Sequence, residues 1–419
     1  MALLRSLRTF PLFPVLSVAL VVLTVGSAFG ELSGRGALLG MVSACVITFV
    51  SALIGGSRYG ISSPTGPMTA AVAMVLLMDQ QWIQSQGSDL DPLLIYNFTI
   101  LLAGVFLLVM ALLGVHRLVK SVPQLVISGF MNGIAVLIFL SQVRVTQGAS
   151  NWILLLVTFA LSYAAGHFSE RSSHFLLRLL LSSFGVIVLV SLAAQIFSLP
   201  VSFITLQETF AQFSFALPDA SIVSFETMGI LFPVAFELAL MALLDTLLTA
   251  VIVDHKTRTK THHTRELAGQ SLTFAIFSLF GGLPGAQSTV PSMMMVQEKA
   301  GHPLAKWGVA LICFLLTFLF LDFLEFVPTA VLGGVILKIG CDVADLTSFH
   351  TVFKRRNRTM LIQLFILLGV LISTVAISLN LAVIGFTMLF VLWNRSVPKH
   401  FLIPDLVPEK QAEGFADEL

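Results

Sequence analysis

Ser63-Pro64-Thr65-Gly66-Pro67-Met68 and Gly285-Ala286-Gln287-Ser288-Thr289-Val290-Pro291-Ser292-Met293 read as two copies of one device. Each places Thr-x-Pro after small residues, where an apolar helix begins. Each follows an apolar segment that ends in a Gly pair, Gly55-Gly56 and Gly281-Gly282. Proline suits the first turn of a helix, where its missing N–H is not needed, and the amides of that turn lack intrahelical partners. Two such ends facing one another inside a membrane make a positive, hydrogen-bonding cradle for a small anion without any Lys or Arg. Thr65, Ser288 and Thr289 add hydroxyls. One Pro-interrupted helix of small residues is explained as well by packing; the repetition at corresponding places is what points to a site.

The rest of the chain fits a membrane protein. Hydrophobic residues make up 57% of it, charged residues 11%, and the mean hydropathy is +0.96. That profile excludes an ordinary soluble domain. Apolar runs predict about fourteen transmembrane segments, some short or broken. They fall at 12–30, 37–54, 62–79, 95–115, 121–142, 150–167, 175–198, 227–253, 264–282, 290–299, 303–323, 328–341, 359–376 and 378–394. Arg5, Arg8 and the run after them resemble a signal peptide, but a second span follows at once, so the first span is expected to remain uncleaved. With the N-terminus inside, the only Lys or Arg residues in the outward loops are Arg35 and Arg144. This positive-inside asymmetry predicts both termini on the cytoplasmic side, in a bacterial inner (plasma) membrane. The net charge of +1 gives no reason to expect nucleic acid. The run Lys354-Arg355-Arg356-Asn357-Arg358 reads as an orientation signal, with anionic membrane lipid as its other reading.

The breaks correspond in two halves, which suggests inverted repeats. The expected organisation is 1–200 for spans 1–7, an acidic external connector at 201–226, 227–395 for spans 8–14, and a short cytoplasmic tail at 396–419. The tail is too short for a further domain. The fold class is therefore an all-α polytopic membrane protein, with short extended stretches before half-helices 3 and 10.

Two acidic residues, Glu237 and Asp245, lie in the eighth span. A carboxylate inside a membrane usually faces a cavity or a partner. Asp245 and Thr249 are four apart and share a helix face. With carbonyls near Gly285–Ser288 they offer hard oxygen ligands to Na⁺, or Asp245 carries a proton. The plain alternative is a carboxylate bonded to a neighbouring helix. His262-His263 reads as solvated loop, and Cys45, Cys313 and Cys341 as small apolar fillers. No nucleophile motif, phosphate loop or zinc motif appears, so neither an enzyme nor a cofactor beyond the coupling ion is expected.

At these residues the chain resembles the sulfate permease (SulP) family of anion transporters. The matching stretches are Ser62 to Thr69, Val126-Ile127-Ser128-Gly129-Phe130-Met131-Asn132-Gly133-Ile134, and Asp245 to Gly285, which holds Arg265-Glu266-Leu267-Ala268-Gly269-Gln270. Asp245 and Thr249 match the pattern of the family's sodium-dependent bicarbonate transporters, where many other members have Glu for Asp. The resemblance implies seven plus seven inverted spans, a core and a gate domain, and an elevator motion. It implies an anion at Thr65, Gly66, Ala286, Gln287, Ser288 and Thr289, and sodium at Asp245, Thr249, Gly285 and Gln287. The chain departs from the family pattern at three places. The first-span proline is missing from Leu23 to Gly30. Gln287 stands where a small residue is usual. The cytoplasmic STAS domain, with its dimerising role, is not expected, though a homodimer remains compatible with the sequence.

The function expected is a secondary transporter that couples a small inorganic anion, bicarbonate first, to inward Na⁺ flow. Sulfate with H⁺ is the alternative. A passive exchanger or channel, with Asp245 only structural, and a membrane scaffold are the other classes.

Overall fold

The structure is a computed structural model that describes residues 10–66, 68–69, 71–73, 75–76, 92–115, 132, 135–136, 138–140, 142–143, 146–169, 183–204, 225–297, 300, 301–319, 325–344 and 368–369. The spans expected at 359–376 and 378–394, and the tail, lie almost wholly outside the described residues, as does most of 121–142. Along the chain run α1 (Leu12–Leu32), α2 (Ala37–Ile54), β1 (Ile61–Ser63), α3 (Pro92–Leu112), α4 (Ala149–Ser169), α5 (Ser183–Ile196), α6 (Phe225–Thr257), α7 (His263–Phe277), β2 (Ala286–Ser288), α8 (Thr289–Gln297), α9 (Ala305–Leu319) and α10 (Thr329–Val343). Further helical backbone is described at 66, 68–69, 71–73 and 75–76. Among the described residues, Leu12–Leu32, Ala37–Ile54, Pro92–Leu112 and Leu231–Asp254 are helices long and apolar enough to cross a membrane. In chain contacts there are two compact units, Met1–His116 with Ile138–Cys341, and Arg117–Leu137 with Asp342–Leu419. Nearly every described element belongs to the first.

Small residues set the helix contacts, as expected where lipid offers no hydrophobic drive between helices. A Cβ on Gly30 would collide with the Gly36 carbonyl oxygen, and one on Gly40 with the Gly26 carbonyl oxygen, so α1 and α2 touch backbone to backbone. Similarly, Gly104 of α3 lies against Phe274 of α7, and Ser271 Oγ donates to the Gly104 carbonyl at 2.9 Å. Val15, Val22, Leu38, Cys45, Val309 and Cys313 share one core cluster that joins α1, α2 and α9.

Helix lengths differ with their tasks. At 1.5 Å per residue, α6 is about 50 Å long, more than a membrane's hydrocarbon thickness. It runs through Pro233 without ending, and it outruns the 227–253 expected from hydropathy because its last turn extends into the polar Asp254–Thr257. By the same rise α8 is about 13 Å long, a half-span. The seam between the expected halves is partly structured: Ile204 N–H donates to the Val327 carbonyl at 3.2 Å and Thr329 N–H to the Ser202 carbonyl at 3.0 Å. These bonds hold 202–204 beside the start of α10.

Candidate functional site

The extended stretches predicted before the two half-helices form strands and pair with each other. β1 and β2 are antiparallel, with Ile61 opposite Ser288, Ser62 opposite Gln287 and Ser63 opposite Ala286. Every residue of both strands is buried. β1 leads through Pro64 and Thr65 into the helical backbone that begins at Gly66, and β2 leads straight into α8. Because the strands are antiparallel, the two helices start at opposite ends of one short ladder, about 7 Å long at strand rise. Gly285 is obligatory beside it, since a Cβ there would strike the Ser63 carbonyl.

Side chains from neighbouring helices complete the ladder. Ser292 Oγ of α8 accepts the Ile61 N–H at 2.9 Å, and Thr48 Oγ1 of α2 donates to the Ser62 carbonyl at 2.9 Å. On the other side stands α6. Thr246 Oγ1 accepts the Gln287 N–H at 3.3 Å, and Thr249 Oγ1 bonds Thr289 Oγ1 at 2.7 Å. Asp245 lies beside the Thr65 hydroxyl. Asp245 and Thr249 are about 6 Å apart along the helix axis. A single turn of α6 therefore touches the residue that opens each half-helix, Thr65 on one side and Thr289 on the other.

This meeting point holds polar atoms with bonding capacity to spare. Thr65 Oγ1 and Asp245 Oδ2 are buried, and apart from the contact between these two side chains neither has a hydrogen-bond partner among the described residues. Such groups are costly inside a protein unless a ligand or water satisfies them. An orphaned carboxylate oxygen with hydroxyls at one helical turn suits a small hard cation. First-turn amides of two helices suit an anion.

The structure brings most of the sequence-derived residues together. Thr65, Gly66, Asp245, Thr249, Gly285, Ala286, Ser288 and Thr289 all lie at the ladder or against it. Gln287 is there by its backbone, but its side chain points elsewhere. Cross-strand partners share a face of the sheet, and its partner Ser62 faces Glu266. The Gln287 amide abuts Gly60, is fully buried, and neither of its polar atoms has a hydrogen-bond partner among the described residues. Glu237 is half-buried, about 12 Å along α6 from Asp245.

Sequence reasoning gave no role to the residues that hold the two Gly pairs. After α2, Glu266 Oε2 accepts the N–H groups of Gly56 at 2.7 Å and Ser57 at 3.1 Å. Its Oε1 accepts from Ser51 Oγ at 3.3 Å and Ser62 Oγ at 3.2 Å. Lys306 Nζ donates to the Ser57 carbonyl at 3.1 Å. After α7, Arg35 Nε donates to the Gly281 carbonyl at 3.1 Å and Tyr96 Oη to the Gly282 carbonyl at 2.9 Å. The Arg35 guanidinium also lies 5.7 Å from the Tyr96 ring centre, and Ser43 Oγ accepts the Leu283 N–H at 2.9 Å. The available signal was that Arg35, Glu266 and Lys306 are charged residues at helix openings in a chain with few charges.

Known proteins resemble this one over most of its length. Residues 11–368 match the sulfate permease family. The bicarbonate transporter BicA of Picosynechococcus sp. (strain ATCC 27264 / PCC 7002 / PR-6) is 28% identical over 391 residues, 89% of this chain and 67% of that protein. The putative sulfate transporter YvdB of Bacillus subtilis (strain 168) is 25% identical over 403 residues, 90% of this chain and 72% of that one. In three dimensions, the transmembrane domain of a cyanobacterium bicarbonate transporter BicA aligns with a TM-score of 0.75 at 24% identity, covering 91% of this chain and 98% of that one. SLC26A9 aligns with a TM-score of 0.72 at 16% identity, covering 91% and 64%. These structures share the helical membrane fold.

Proposed function

The chain belongs to the sulfate permease family of anion transporters, and we propose that it carries bicarbonate into the cell together with Na⁺. The supporting observation is the single turn of α6 that meets both half-helix openings, Asp245 beside Thr65 and Thr249 bonded to Thr289. The anion sits at the first-turn amides that follow Thr65 and those of α8, with the Thr65 and Ser288 hydroxyls as donors. Na⁺ sits at Asp245, Thr249 and the carbonyls near Gly285. An ionised Asp245 beside Thr65 repels an anion in the cradle, and a bound Na⁺ cancels that repulsion. Each ion therefore raises the affinity for the other, as reciprocal coupling requires. Movement follows an elevator path, the half-helices and their ions travelling as one body. The similarity to bicarbonate transporters supports the substrate.

Labelled bicarbonate uptake into proteoliposomes, with and without an inward Na⁺ gradient and with excess cold sulfate, tests this reading. Uptake driven by Na⁺ and indifferent to sulfate is expected, and Asp245→Asn should remove the Na⁺ dependence. The similarity to putative sulfate transporters favours a second reading, proton-coupled sulfate symport. Sodium-indifferent uptake with sulfate competing would favour it. Unchanged flux in a well-folded Asp245→Asn protein would favour passive exchange.

A further inference from the structure

Glu266 is 1% exposed and meets the β1–β2 ladder on the face that Ser62 and Gln287 share. Its two oxygens accept from two amides of the loop after α2 and from the hydroxyl pair of Ser51 in α2 and Ser62 in β1, which also bond each other at 3.1 Å. From that last serine, Ser62, the chain reaches Thr65 in three residues. Whatever fixes Ser62 also fixes the amides that follow Thr65. The same arrangement carries a hazard, because a buried negative charge near a site for anions weakens binding through a low-dielectric interior.

Lys306 answers it. The Lys306 side chain is 7% exposed. Glu266 Oε2 and Lys306 Nζ come to 2.9 and 3.0 Å of the point where a Gly55 Cβ would stand, so both heads close over the same glycine. The ammonium lies near Glu266 over Gly55 and grips the same loop through the Ser57 carbonyl. Gly55 leaves the room that this pair needs.

We propose that Glu266 and Lys306 are a positioning pair for anion binding: the carboxylate sets the place of β1 and of the half-helix it feeds, and the ammonium removes the carboxylate's field from the cradle. The proposal rests on the cradle reading above. It separates two roles that an ordinary buried ion pair would merge. Removing Lys306 alone leaves Glu266 unpaired and repels the anion, whereas removing both charges leaves geometry as the only loss.

The experiment is half-saturation and maximal rate of labelled bicarbonate and sulfate uptake in proteoliposomes, at matched amounts of monodisperse protein. Lys306→Met should raise the half-saturating concentration about tenfold, with the maximal rate within about twofold of the parent. The double variant Glu266→Gln/Lys306→Met should come back to within about threefold of the parent. Ser62→Ala, which removes one bond to Glu266 without unpairing a charge, should cost about threefold and decides the matter if Lys306→Met does not accumulate. Parent-like half-saturation in both Lys306→Met and Ser62→Ala would overturn the proposal. So would a loss of maximal rate alone, or a double variant worse than Lys306→Met. Thr65→Val and Ser288→Ala run alongside: if they leave half-saturation unchanged, it is the cradle that fails, and the proposal fails with it.

Discussion

The loop after α2 and the loop after α7 each deliver the chain from a Gly pair into a strand and then a half-helix, yet the charged side chain that bonds each Gly pair has the opposite sign. The first offers amides, of Gly56 and Ser57, and a carboxylate accepts them. The second offers carbonyls, of Gly281 and Gly282, and a guanidinium and a phenol donate to them. The places of the anchors correspond all the same. Glu266, in the first turn of α7, reaches the loop after α2; Arg35, just before α2, reaches the loop after α7. Near the openings of α9 and α3, Lys306 and Tyr96 add the second contact to each loop. What the two regions have in common is where the support comes from. The polarity of the support follows from which backbone groups each loop turns inward, because a buried N–H or C=O must be paired wherever it points.

The contrast yields tests in order of size. Gly281 has φ +67, and a Cβ there would collide with the Arg35 guanidinium. Backbone strain and displacement of the anchor add, so Gly281→Ala should lower stability by about 3 kcal/mol, read from thermal or denaturant unfolding in detergent. Arg35→Met should follow at about 2 kcal/mol, the loss of a charge-assisted bond and of the packing on Tyr96. Arg35→Lys should recover less than half of that, since an ammonium lacks the planar face that lies against the ring. Tyr96→Phe removes only the hydroxyl that reaches Gly282 and should cost about 1 kcal/mol. If Tyr96→Phe equals or exceeds Arg35→Met in the same assay, the second loop is not held chiefly by charge and the contrast with Glu266 dissolves.

Much of this architecture was legible in the chain. The apolar runs at 12–30 and 37–54 became Leu12–Leu32 and Ala37–Ile54, and 290–299 became Thr289–Gln297, because helix length and hydropathy are local properties. The small residues before Thr65 and Thr289 announced extended backbone for the same reason. The pairing of Ile61 with Ser288 was not legible, since strand register is set by tertiary contacts between segments with no periodic signal of their own. Nor were the anchors. Arg35 bonds Gly281 across 246 positions and Lys306 bonds Ser57 across 249. Arg35 stood out in the sequence only as one of two basic residues in the outward loops and Lys306 lay inside an expected span, and only the fold shows what they bond. Gln287 gives the converse lesson. Its place in the motif suggested an amide facing the anion, whereas strand alternation turns it to the face shared with Ser62.

On the proposed mechanism one anion is held jointly by the openings of two half-helices. Apparent anion affinity in Thr65→Val, Ser288→Ala and the double variant tests it most directly, one hydroxyl being removed from each opening. Each single change should weaken bicarbonate binding about fivefold, roughly 1 kcal/mol, and the double variant more than either. Unaltered affinity in all three, in protein that remains folded and monodisperse, would contradict the account and place the anion elsewhere.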